Sequence, residues 1–288
     1  MVDTGNSYEG LCEYLGGKYI SYTEEKPITM NPFNITQAEL NIEKIDFLKN
    51  LILLIWKGSD TKITELEFRI VEQMVTDYYD AYFHGFDGYD PVQRENLHKT
   101  LIAAEKRKGR WNAENLPELE QKVDSKIRLL EERRKALKVN SLSFNTFYEY
   151  SCERLELICL ENNITEIDYD KYTYMIQPFY KGGNYDKILN ENVDTTLFSE
   201  TFIVFEVDAI KENKKLFPIV TLIIMDVFLQ KMRIKKNRKV LVIEEAWKAI
   251  ASPLMAEYIK FMYKTARKFW ASVGAVSYTH LRAHETAA

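Results

Sequence analysis

Lys239-Val-Leu-Val-Ile-Glu-Glu-Ala-Trp247 is the stretch on which the fold turns. Four consecutive apolar residues, three of them β-branched, suit pleated backbone that is buried on both faces. Strands of that kind belong to parallel sheets covered by helices. Working outward, the neighbouring segments have matching character. Thr201-Phe-Ile-Val-Phe-Glu-Val207 is a second short run rich in β-branched and aromatic residues, and Ala271-Ser-Val-Gly-Ala-Val276 is a third. A long apolar helical stretch occupies 214–232. Ser252-Pro253 places an N-cap residue before a proline suited to the first helical position, opening a helix that leads to Phe269. Strand, helix, strand, helix, strand is the order of an α/β fold: a parallel sheet with helices on both faces.

The rest of the chain falls into blocks of different character. Residues 1–60 alternate short apolar runs with glycine and proline. Val2-Asp-Thr-Gly5 reads as a strand end and its turn, 7–15 as a short helix, and Lys18-Tyr-Ile-Ser-Tyr22, after Gly16-Gly17, as a strand. Residues 61–192 read as all-α. Thr64 and Glu67 have capping-box spacing, and Leu66, Ile70, Met74, Val75 and Tyr78 follow at helical intervals. Leu119, Val123, Ile127 and Leu130 form one stripe of a helix over 117–138, and helical patterns continue over 144–160 and 168–180, the last ending at Gly182-Gly183. The mixed-sign charges of 118–138 suit a solvated helix face laced with i,i+4 pairs, or a partner arm. The domains are therefore 1–60 and 193–276 as two parts of one α/β core, 61–192 as a helical insertion, and 277–288 as a separate tail.

Composition excludes several classes. With 46% hydrophobic and 28% charged residues in 288, the chain is neither disordered nor fibrous. A net charge of −4 supplies no global basic field, so nucleic-acid contact is not supported by bulk charge and needs a local patch. Cys12, Cys152 and Cys159 are odd in number and form no CxxC pair, which reads as inert thiols in a reducing compartment. The first residues lack the basic and apolar regions of a signal peptide. The apolar stretch 216–232 contains Asp226 and falls short of the ~20 residues of a spanning helix, so it reads as a buried core helix. The expectation is a soluble, cytoplasmic protein.

Glu244 and Glu245 carry the chemistry. In a parallel sheet the functional edge is where strands end, because loops and helix N-termini converge there. Two acids just past a buried strand have two jobs in P-loop ATPases: the first holds Mg²⁺, usually through water, and the second polarises the water that attacks the γ-phosphate. Glu244 takes the first role and Glu245 the second, although asparate is commoner at the first position. A strand ending in a solvated Glu-Glu turn has the same pattern. Lys260, Lys264, Arg267 and Lys268 fall on one side of the following helix, while Leu254, Tyr258, Ile259, Met262 and Phe269 are available to pack it inward. The basic set suits phosphate, within the subunit or on a neighbour, and equally a solvent-facing stripe. No G-x-x-x-x-G-K-[ST] occurs, so the β- and γ-phosphates lack their usual cradle and the chain as it stands is expected not to hydrolyse ATP.

Taken together, these segments resemble the TraG family of conjugation ATPases of Bacteroides-type conjugative transposons, kin of the type IV secretion motors. The resemblance rests on Val2-Asp-Thr-Gly-Asn-Ser-Tyr8, Asn31-Pro-Phe33, Phe202-Ile-Val-Phe-Glu206, Leu222-Ile-Ile-Met-Asp226, Val242-Ile-Glu-Glu-Ala-Trp247 and Thr265-Ala-Arg-Lys268. It implies a RecA-like P-loop NTPase core with an inserted helical lobe, using ATP and Mg²⁺, and working as a homo-oligomer with secretion-channel or coupling proteins at the inner membrane. It implies Glu244 for the metal, Asp3 in cofactor binding, and Glu245, Arg267 and Lys268 in catalysis. It also implies a phosphate loop just upstream of Met1, and a polar sensor after Val276 where Ser277-Tyr-Thr-His-Leu-Arg-Ala-His-Glu-Thr-Ala-Ala288 stands instead. That tail reads as non-native, so His280 and His284 are assigned no site. The implied function is a fragment of an ATP-driven motor of conjugative DNA transfer or type IV secretion. The alternative is a non-catalytic module that docks secretion-channel partners through its helical lobe.

Overall fold

Every apolar run singled out above as a strand pairs side by side with another in the computed structural model, which describes residues 1–109, 115–192, 194–234, 236–246, 248 and 252–276. The strands are β1 (Val2–Asp3), β2 (Lys18–Ser21), β3 (Ile203–Glu206), β4 (Lys239–Ile243) and β5 (Ala271–Ala275). They form one sheet in the order β2-β3-β1-β4-β5, and every pairing is parallel. Parallel neighbours need a crossover, and the helices provide them. The first is α1 (Glu9–Tyr14), between β1 and β2. Gly17, just before β2, is required by close approach: a Cβ there would lie 2.8 Å from the Phe202 carbonyl oxygen and 2.9 Å from Cys12 Sγ.

The described chain divides into two compact units. One comprises Met1–Pro32, Asp46–Ile63 and the described residues from 184 on, and the other comprises Phe33–Ile45 and Thr64–Gly183. The first holds the sheet. Its helices include α2 (Ile42–Lys57), whose buried residues from Phe47 to Ile55 are almost continuous. The long apolar stretch becomes a helix over Leu216–Ile234, buried on nearly all sides from Leu216 to Val227. Among the described residues no helix is long and apolar enough to cross a membrane. The last helix of this unit runs over Pro253–Ala266 and packs Leu254, Tyr258, Ile259 and Met262 inward, with the Tyr258 ring 5.9 Å from that of Phe47. Ser252 occupies the N-cap position, but its hydroxyl makes no capping bond and is buried without a partner, so the helix start is as expected and the cap chemistry is not.

The second unit is all helical: α3 (Glu65–Phe83), α4 (Pro91–Lys108), α5 (Leu116–Ala136), α6 (Phe144–Asn162) and α7 (Tyr169–Ile176). Thr64 and Glu67 close the capping box on α3, with the Glu67 carboxylate accepting from the Thr64 amide at 2.8 Å. The α5 stripe Leu119, Val123, Ile127 and Leu130 is buried against Leu97, Leu101 and Leu157. A second cluster is aromatic, with the Phe33 ring 5.1 Å from Phe147 and 6.2 Å from Tyr78. Inside this unit lies Arg154, fully buried, its guanidinium donating to Asp77 at 2.7 Å and to both oxygens of Glu161 at 2.9 Å. Burial alone would depress that guanidinium, but Asp77 and Glu161 outweigh it and hold the pKa above the usual arginine value. Completing the first unit, α8 (Asp186–Asn190) precedes β3, α9 is the Leu216–Ile234 helix, and α10 is the Pro253–Ala266 helix.

The three cysteines are unbridged, Cys12 and Cys152 buried and Cys159 half-buried. Burial raises each above the ordinary thiol value, which keeps them protonated and poorly reactive.

Candidate functional site

Register brings three carboxyl groups into one row. Asp3 on β1 stands opposite Glu206 on β3, and Val2 stands opposite Ile243, so Glu244 follows β4 beside Asp3. Neighbouring strands lie about 4.8 Å apart, and in-register parallel strands send matching side chains to the same face. Glu206, Asp3 and Glu244 therefore meet where three adjacent strands end, exposed by only 2%, 0% and 5%.

Each acid is held by a different set of donors. Asp3 folds the turn after β1 around itself: one oxygen accepts from the amides of Ser7 (2.9 Å) and Tyr8 (3.1 Å), the other from Gly5 (3.2 Å). Glu206 accepts from the amides of Asn6 (2.9 Å) and Asp208 (2.6 Å) and from the Tyr19 hydroxyl (3.3 Å). Glu244 accepts from the Tyr8 hydroxyl at 2.8 Å. Burial pushes the Glu206 carboxyl above the usual carboxylate range; the Asp208 amide opposes this and the Asp3 charge adds to it. Burial likewise raises Glu244, where the Tyr8 hydroxyl opposes the rise and Asp3 reinforces it. Burial, and to a lesser degree Asp3, thus disfavours charge on Glu206 and Glu244, and a cation placed there would favour it.

Glu245 stands one residue further on, half-buried, in the left-handed backbone region with φ of 47°. For a residue with a Cβ that conformation costs on the order of 1–2 kcal/mol. Its turn is locked on both sides: the Ala246 amide donates to Val276 at 3.1 Å, the Val276 amide to Ile243 at 2.9 Å, and the Lys248 amide to Glu245 at 2.9 Å. Strained non-glycine backbone held by its surroundings is characteristic of functional positions.

Arg267 and Lys268 lie elsewhere. α10 ends at Ala266, and both residues sit in a short 3-10 turn, Arg267–Phe269, that leads into β5. They therefore stand at the amino edge of the sheet, whereas Asp3, Glu206, Glu244 and Glu245 stand at the carboxyl edge. The five residues of β5 separate the two edges by roughly 16 Å at 3.3 Å per residue. The structure brings Asp3 and Glu244 together and leaves Arg267 and Lys268 apart from them. Lys260 and Lys264 are exposed on α10, with Lys260 paired to Glu257 at 2.6 Å. Trp247 and the tail with His280 and His284 lie outside the described residues.

Sequence reasoning missed Glu206 and Tyr8 as site residues. A signal was present for Glu206, since Phe202-Ile-Val-Phe-Glu206 is an apolar run ending in an acid, as 240–244 is. Tyr8 carried none, because its contact with Glu244 depends on strand order.

Among the described residues no group of three or more histidine, cysteine, aspartate or glutamate side chains is arranged to hold a metal by itself. Magnesium in nucleotide sites needs no such cage. It takes one or two carboxylates, with water and phosphate oxygens filling the other positions. The donor set at this edge, the hard carboxylate oxygens of Asp3, Glu206 and Glu244, fits that mode.

A parallel sheet whose strands alternate with helices defines an α/β protein, and its carboxyl edge is where the buried acids converge. The chain belongs to the TraG P-loop domain family, whose model matches residues 1–116 and 81–279. No curated protein matches it. Its fold is that of VirB4 of Thermoanaerobacter pseudethanolicus, with a TM-score of 0.56 and 18% identity over 96% of this chain. The chain spans 60% of the VirB4 chain.

Proposed function

We propose that this chain forms the acidic half of a nucleotide site in an ATP-driven motor of conjugative transfer or type IV secretion. Glu244 holds Mg²⁺ through water, Glu245 polarises the water that attacks the γ-phosphate, and Asp3 shapes the turn that borders the nucleotide. Magnesium, when bound, offsets phosphate charge. The chain's own contribution is to fix Glu244 through Tyr8 and to aim Glu245 from a locked turn. The observation that carries this reading is the left-handed φ of 47° at Glu245, directly after a buried acid at the end of a parallel strand.

Arg267 and Lys268 are left out of the same-chain site because they occupy the other edge. Partners in this reading are further copies of the motor and secretion-channel or coupling proteins at the inner membrane. The test places this chain in a polypeptide that supplies G-x-x-x-x-G-K-[ST]. Mg²⁺-dependent ATP hydrolysis is expected, and Glu245→Gln should abolish turnover while ATP still binds. Full turnover in that variant removes Glu245 from its role, and failure of ATP to bind favours a docking module instead.

A further inference from the structure

The amino edge of the sheet carries a second polar constellation, which the proposed nucleotide site does not use. Arg238 immediately precedes β4, and Trp270 immediately precedes β5. The two strands are in register from Lys239 and Ala271 onward, and the Lys239 amide donates to the Trp270 carbonyl at 3.3 Å. Arg238 therefore enters its strand beside Trp270, with Lys236 two residues before the one and Lys268 and Arg267 two and three residues before the other, all at the same edge. All five are exposed. Among the described residues none of the four cations has a carboxylate partner. Three lysines of this unit are matched, Lys211 with Asp208, Lys214 with Asp60 and Lys248 with Glu212, whereas Lys26, Lys62 and Lys264 are exposed without an ion pair among the described residues.

Trp270 is the second observation. Its side chain is 71% exposed, and its backbone is in the left-handed region with φ of 56°. A large apolar ring held out in water by a strained backbone bears two costs at once. The third observation is a cavity of about 420 Å³ at the same edge, lined by the rings of Phe198, Phe202 and Phe228 and by Lys231, Arg238 and Lys239. Glu200 is the only carboxylate among its lining residues.

We propose that this edge binds single-stranded nucleic acid, with Lys236, Arg238, Arg267 and Lys268 on successive phosphates and a base stacked on Trp270. Aromatic faces beside unpaired cations are the features that hold single strands without sequence preference. One γ-phosphate of a neighbour's nucleotide accounts for one or two cations, not for four on two adjacent strand entries that also carry an exposed indole. The net charge of −4 does not oppose this, because charges beyond about 8–10 Å are screened at moderate salt.

Fluorescence anisotropy of a labelled oligo-deoxythymidine with the full chain tests the proposal. Four phosphate contacts on a single strand give a slope of log affinity against log salt of about −2.8, an affinity loss of roughly 50-fold between about 50 and 200 mM salt. The Lys236→Gln/Arg238→Gln variant should halve the slope, leaving a loss of roughly sevenfold. Trp270→Gly, which removes the ring and suits a positive φ, should weaken binding on the order of tenfold with the slope unchanged. Absence of binding at low salt overturns the proposal, as do wild-type slope and affinity in both variants. Phosphatidylglycerol vesicles serve as the competing anion. If they bind with the same variant dependence while the oligonucleotide does not, the edge is a membrane surface and the proposal is wrong.

Discussion

Glycine and alanine at position 245 should separate strain from side-chain chemistry. Both substitutions remove every carboxylate contact, so the difference between them reports the backbone alone. At φ of 47°, alanine retains the Cβ clash that costs about 1–2 kcal/mol, and glycine does not. Glycine loses about 0.5–1 kcal/mol of that gain through the greater freedom of its unfolded chain. The Glu245→Gly protein should therefore be more stable than Glu245→Ala by about 1 kcal/mol, a rise in Tm of roughly 2–4 °C for a chain of this size. Position 244 is the control, because Glu244 has no positive φ. There glycine should be less stable than alanine by about 0.5–1 kcal/mol. Urea melts of the four variants, followed by circular dichroism, give both differences. The same sign at 244 and 245 would refute the strain, and with it the observation on which the catalytic placement of Glu245 rests.

Tyr8→Phe removes the donor that opposes the raised Glu244 pKa, so that pKa should rise further. A carboxyl whose folded pKa lies above its unfolded value contributes stability below the unfolded pKa and loses it as pH rises through the folded one. The variant's deficit, about 1 kcal/mol, should thus appear near pH 7.5 and shrink towards pH 4, and it should lose its pH dependence in a Glu244→Gln background. Thermal melts across that range check it, and a pH-independent deficit would mean that Tyr8 only packs. In the helical unit, Arg154→Leu strands two carboxylates, one of them the buried Glu161, and should cost about 3–5 kcal/mol in urea denaturation. Adding Glu161→Leu should recover part of that loss.

Much of the fold was legible because local signals and tertiary needs agree. The runs at 203–206, 239–243 and 271–275 are short and mostly apolar, which suits strands of a parallel sheet, but the expected burial on both faces holds only in part: Val240, 64% exposed, and its register partner Ser272 face solvent. Thr64 with Glu67, and the α5 stripe from Leu119 to Leu130, are legible for the same reason: spacing along one helix determines their geometry. Ser252 shows the limit. Its position marks the helix start, but whether its hydroxyl reaches an amide depends on rotamer and packing, which spacing does not carry.

The site was legible in proportion to how little it depended on strand order. Glu244 and Glu245 could be found because an acid after a buried strand must stand at an edge whatever the neighbours are. That Glu206 joins them requires β3 to lie next to β1, a pairing across about 200 residues of chain, with Glu206 in register with Asp3. Arg267 and Lys268 show the opposite case. Their position follows from connectivity alone: a chain that leaves the carboxyl edge after Ile243, crosses in α10 and enters β5 at Ala271 must reach the amino edge at 267–270. A basic motif one helix downstream of an acidic motif in a parallel sheet is thus displaced from it by the strand length. Sequence proximity argues against a shared ligand in one chain, and what each edge binds has to be argued from the groups that stand there.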